Sequence, residues 1–84
     1  MNRKLVERTQ TGVRLEKSLL KVLKGLAEYC NLSLGDLLEG IVLHAFEGKA
    51  PFSPETQKAI TNLKAVYRCD LTAEDSHNLR ESGE

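Results

Sequence analysis

Positions 8, 10, 12 and 14 hold Arg8, Gln10, Gly12 and Arg14, and between them stand Thr9, Thr11, Val13 and Leu15. Alternation with a period of two sends successive side chains to opposite faces of an extended segment. The first set then faces solvent or a ligand, and the second faces inward. A guanidinium is a permanent cation with a fork of donors, and a glutamine amide both donates and accepts. The chemistry on offer is recognition through hydrogen bonds and charge. Bond making has no such support: the serines, histidines and acids form no nucleophile, base and orienting group, so the chain is not expected to be an enzyme. Cys30, Cys69, His44 and His77 share no ligand spacing such as CxxC or HxxxH. No metal and no cofactor is therefore expected, and the two cysteines read as reduced thiols. Tyr29, Phe46, Phe52 and Tyr67 are too scattered for a base-stacking platform and read as packing residues.

The formal net charge is zero, but the charges are not spread evenly. Residues 1–24 hold seven basic and two acidic side chains, a balance of +5. Residues 25–46 hold three acids and no Lys or Arg, and residues 47–84 hold five basic against seven acidic groups. The basic end is the end that carries the alternating segment, an asymmetry of the kind that nucleic-acid binding uses. Arg3, Lys4 and Arg8 make its leading edge. The apolar stretches are far too short to span a bilayer, and MNRKLVERTQ lacks the apolar region of a signal peptide. A cytoplasmic location without membrane contact is the expectation.

Residues 1–8 read as a mobile basic arm, residues 9–47 as a core unit and residues 48–84 as a helical extension. After the alternating segment, Leu19, Leu20, Leu23, Leu26, Ala27 and Cys30 recur at spacings of three and four, with Lys17, Lys21, Lys24 and Glu28 opposite. That pattern predicts an amphipathic helix over 16–30. Gly25 inside it costs about 1 kcal/mol relative to Ala, which a close backbone contact would explain. Asn31-Leu32-Ser33 is a turn, with Asn31 left-handed and Ser33 as the next N-cap. A second helix follows over 34–46, ended by Gly48, with an apolar arc too wide for a surface helix. Ser53-Pro54 starts a third helix to about Tyr67, with Ala59, Ile60, Leu63, Val66 and Tyr67 on one stripe. Thr72 could cap a short fourth helix reaching about Arg80, and the tail ESGE should fray.

At 84 residues one chain buries little, and a strand without a partner exposes its edge. A second copy across a two-fold axis answers both problems. The predicted fold is mainly α: one short N-terminal strand, two core helices and one or two further helices. Two chains intertwine through an intermolecular antiparallel two-stranded ribbon, a shape that fits the DNA major groove. Val13, Leu15, Leu23, Leu37, Leu38, Ile41 and Val42 are the expected dimer core.

With Gly12-Val13-Arg14-Leu15, Leu19 to Ala27, Asn31-Leu32-Ser33 and Leu37 to Val42 in that order, residues 10–46 resemble the ribbon-helix-helix transcriptional repressors of the Arc/MetJ/CopG type. The resemblance needs no gap and covers a little under half of the chain. It implies that the outward side chains of the ribbon read bases, here Gln10, Gly12 and Arg14, with Arg8 at the edge. Arg pairs with guanine and Gln with adenine through two hydrogen bonds each. It also implies a phosphate held at the N-terminus of the second helix by Ser33 and the amides of Leu34 and Gly35. Gly12 departs from the pattern by offering no side chain, and Asp36 stands where a basic residue would favour phosphate.

The function expected from this resemblance is a sequence-specific, repressor-like regulator of a prokaryotic type, acting on double-stranded DNA as a homodimer. Two alternatives accompany it. One is an antitoxin whose residues 49–84 hold a toxin. The other is an interaction module of the same fold that does not bind DNA, which Gly12, Asp36 and the zero net charge favour.

Overall fold

Glu16 starts the first helix with its own carboxylate: Oε1 accepts from the Leu19 N–H at 2.9 Å and Oε2 from the Ser18 N–H at 3.1 Å. Three helices follow in the computed structural model, which describes residues 3–82: α1 (Lys17–Tyr29), α2 (Leu34–Phe46) and α3 (Pro54–Val66). The outer ends of the expected mobile arm and fraying tail, residues 1–2 and 83–84, lie outside the described residues. Ser33 caps α2 by accepting the Asp36 N–H at 3.1 Å, and Ser53 caps α3 by accepting the Thr56 N–H at 3.2 Å.

All three helices end in the same way. Asn31, Gly48 and Arg68 take left-handed backbone at φ 57°, 69° and 54°. The next residue then donates its N–H five positions back: Leu32 to Ala27 at 2.9 Å, Lys49 to His44 at 2.9 Å and Cys69 to Lys64 at 2.8 Å. These are Schellman terminations, which satisfy carbonyls that the helix leaves without partners. The expected roles of Asn31 and Gly48 hold, while Arg68 carries no such signal in its residue type.

The core lies where α1 meets the other two helices. Leu26, Ala27 and Leu37 are buried together, and Leu23, Cys30, Ile41, Phe52, Ile60 and Leu63 pack around them. Val22 is also buried, so the covered stripe of α1 is broader than the leucine spacing indicates. On α3, Ile60 and Leu63 join the core while Val66 is exposed, so the expected stripe packs through only part of its length. On α2, Leu37 is covered, but Val42, Leu43 and Phe46 face outward, Phe46 at 81 % exposure. Among the described residues no helix is long and apolar enough to cross a membrane.

Two expectations are corrected. There is no strand among the described residues, and residues 3–16 run without regular secondary structure into α1. The fold is all-helical, and the short N-terminal strand, its two-stranded ribbon and the ribbon-helix-helix architecture built on them fall with that finding; the mainly α class stands. The physical reason is the ladder. A strand needs edge partners, yet among the described residues no backbone hydrogen bond ties residues 3–15 to another segment. The inward set is half threonine, and Val13 remains 72 % exposed, so burial does not hold the segment either. The expected fourth helix shrinks to one 3₁₀ turn, Ala73–Asp75, after which His77 turns left-handed at φ 67°.

Candidate nucleic-acid interface

The extended arm and the start of α2 enclose one open cleft of about 840 Å³. Residues 7–13 line one wall, and Ser33, Leu34, Gly35, Asp36, Leu38 and Glu39 line the other. The fold thus brings Arg8, Gln10 and Gly12 to the same concavity as Ser33, Leu34 and Gly35. Arg3, Lys4 and Arg14 are exposed on the arm beyond the lining.

Ser33 has a double position here, since its hydroxyl oxygen already accepts the Asp36 amide. The N–H groups of Leu34 and Gly35 have no acceptor among the described residues, so the helix end keeps two donors toward the cleft. Gly12 has no atom within 4 Å of where a Cβ would stand, and its backbone is not left-handed. Neither packing nor conformation requires glycine at this position.

Acidic groups occupy the same wall. Arg8 donates from Nε and Nη2 to the two carboxylate oxygens of Glu39, at 3.0 and 2.9 Å, and Asp36 lies 3.8 Å from Nη2. The hydrogen bonds to Glu39, and then its charge, raise the Arg8 pKa, while Arg8 holds the Glu39 carboxyl below the usual carboxylate range. A fork-on-fork pair is the geometry that guanidinium also uses for phosphate. Arg14, on the same arm, pairs with the carboxylate of Glu81 from the C-terminal segment.

Asp36 stood out in the sequence, but neither Glu39 nor Glu81 was legible from local pattern: Glu39 lies 31 residues from Arg8, and Glu81 lies 67 from Arg14. Asp36 and Glu39 do sit three residues apart on α2, which puts them on one helix face. Arg8, expected at the ribbon's edge, is instead the side chain most fully engaged.

The expected dimer-core residues separate into two groups. Leu37 is buried and Leu23, Leu38 and Ile41 are half-buried, whereas Val13, Leu15 and Val42 are exposed. Val6 on the arm and Leu38, Val42 and Leu43 on α2 line a shallow second cleft beside Arg8 and Glu39. The apolar surface therefore continues directly from the candidate interface. Cys30 and Cys69 are free thiols. Comparison with models of protein families, with curated proteins and with solved structures finds no match to this chain.

Proposed function

We propose that this chain is a DNA-binding transcriptional regulator that works as a homodimer in the cytoplasm. The observation that carries the reading is the shared cleft, where Arg8, Gln10 and Gly12 stand opposite the free amides at the start of α2. An extended basic arm, rather than a two-stranded ribbon, presents Gln10 and Arg14 to base edges, and Arg3, Lys4 and Arg8 to phosphates. The spacing of the two helices and their turn, Leu19 to Val42, is the part of the resemblance to the ribbon-helix-helix repressors that does not depend on a strand, and it adds support.

The homodimer reading rests on apolar side chains left exposed, Val42, Leu43 and Phe46 on α2 and Val13 and Leu15 on the arm. Covering a large apolar side chain contributes about 1.5–3 kcal/mol, and an exposed apolar cleft such as the one lined by Val6, Leu38, Val42 and Leu43 commonly marks an association surface. A two-fold axis would bring two basic arms together and would require a palindromic or near-palindromic site.

The test is a titration of the full chain against the DNA upstream of its own gene and against a scrambled duplex, at two salt concentrations. Preferential binding to the upstream DNA is the expected result. A second reading, an interaction module without DNA binding, is favoured by one observation: the carboxylates of Asp36, Glu39 and Glu81 already stand on Arg8 and Arg14. No measurable binding to either duplex at either salt concentration would select it. An antitoxin tail that orders only on a toxin has less support, because α3 is seated on the core through Ile60 and Leu63.

A further inference from the structure

The chain returns on itself in a way that the proposed DNA-binding role does not use. After α3 ends at the left-handed Arg68, Cys69 is buried, and Lys64 Nζ donates to the Leu71 carbonyl at 2.6 Å. The Thr72 N–H then donates to Asp75 Oδ2 at 2.8 Å, closing the single 3₁₀ turn. From there Ser76, His77 and Leu79 border an apolar cleft that Leu19, Val22 and Leu23 of α1 also line. The segment therefore crosses the N-terminal half of α1, and this path delivers the Glu81 carboxylate to the Arg14 guanidinium.

We infer that residues 69–81 form an autoinhibitory strap, in which Glu81 pairs with Nη2 of Arg14 and competes with nucleic acid for that guanidinium. The inference rests on the DNA-binding reading above and adds a regulation to the same site. A carboxylate and a phosphate present similar paired oxygens to a guanidinium, so the two compete for one set of donors. Beyond its border on the α1 cleft and the Arg14–Glu81 pair, the strap is anchored by the buried Cys69 and the Lys64–Leu71 bond and holds no helix longer than one turn, which makes it weaker than the helical core and able to release. An exposed ion pair contributes at most about fivefold to an equilibrium, so the strap tunes affinity and does not abolish it.

The experiment uses the full chain with Glu81→Gln, which keeps the side chain's size and removes its charge. Glu55→Gln, on α3, is the control for the loss of one negative charge. Two readouts are taken: affinity for the upstream duplex, and the rate of tryptic cleavage after Arg14 in the absence of DNA. Glu81→Gln is expected to tighten DNA binding about two- to fivefold and to speed cleavage at Arg14, while Glu55→Gln does neither. In an Arg14→Ala background the gain in affinity from Glu81→Gln should vanish. Equal gains from both glutamate variants, a gain that survives Arg14→Ala, or unchanged cleavage at Arg14 would overturn the strap. If the parent prefers the upstream duplex and Glu81→Gln changes nothing, the strap alone falls. If no variant binds any duplex, the DNA-binding reading falls and the strap falls with it.

Discussion

Gly25 of α1 lies tightly against Leu63 of α3: a Cβ at position 25 would stand 3.0 Å from Leu63 Cδ2 and 3.6 Å from the Tyr67 ring. The helical penalty of a mid-helix glycine is thereby offset by closer seating of α3. Gly25→Leu should destabilise the fold by about 1–3 kcal/mol through overpacking, and Leu63→Ala in the same chain should recover part of that loss. Gly25→Ala gains about 1 kcal/mol of helix propensity against a tight contact with a flexible leucine end, so its net effect should be smaller than that gain. Chemical denaturation of the four chains checks this.

The cap at Glu16 makes a prediction about pH. Its carboxyl is held below the usual range, first by the Ser18 hydroxyl at 2.6 Å and then by the Leu19 and Ser18 amides. A group whose folded pKa is depressed adds stability that is present above its unfolded value of about 4.3 and disappears as pH falls through the folded value. The Glu39 carboxyl, lowered by Arg8, acts with the same sign. Thermal melts from pH 6 to pH 3 should therefore show stability falling with pH, and Glu16→Gln should make that fall shallower. An identical slope in the variant would show that the cap is absent in solution.

Association should be separable from folding. Phe46 and Leu43 are 81 % and 61 % exposed, so Phe46→Asp places no charge in the core of one chain. The variant should remain helical yet sediment as a monomer at concentrations where the parent is a dimer, and the parent's melting temperature should rise with concentration. By contrast, Ile41→Asp should unfold the chain, because Ile41 packs against Leu26, Ala27 and Leu37 and would bury an unpaired charge.

Much of the helical layout was legible because its signals are local. Ser33 and Ser53-Pro54 announce helix starts, Asn31 and Gly48 announce ends, and leucine spacing on α1 finds the core at Leu26. Glu16 was missed as a cap because glutamate is not among the usual capping types, and Arg68 because a long cation gives no hint of left-handed backbone. The strand expectation failed for a different reason. Alternation from Arg8 to Leu15 describes which side chains share a face, but only hydrogen-bonding partners make an extended segment a strand, and sequence spacing does not supply them. The candidate site was half legible: residue types located Arg8, Gln10 and Arg14, while the carboxylates of Glu39 and Glu81 that engage the two arginines come from distant positions.

The phosphate and base roles proposed for the arm should separate in their salt dependence. Neutralising Arg3 or Lys4 should weaken binding to every duplex alike and reduce the slope of affinity against salt by about one unit for each phosphate no longer neutralised. A slope unchanged in both variants would mean that neither side chain stands on a phosphate.

Sequence reading by the arm is measured by fluorescence anisotropy with Arg14→Ala. The duplex upstream of the chain's own gene is compared with duplexes altered one base pair at a time, for parent and variant. The variant is expected to stay folded and dimeric but to lose about 1–3 kcal/mol of discrimination at one base pair in each half-site. Should the variant bind every duplex as tightly as the parent does, with discrimination intact at all positions, Arg14 reads nothing and the arm is not the reader.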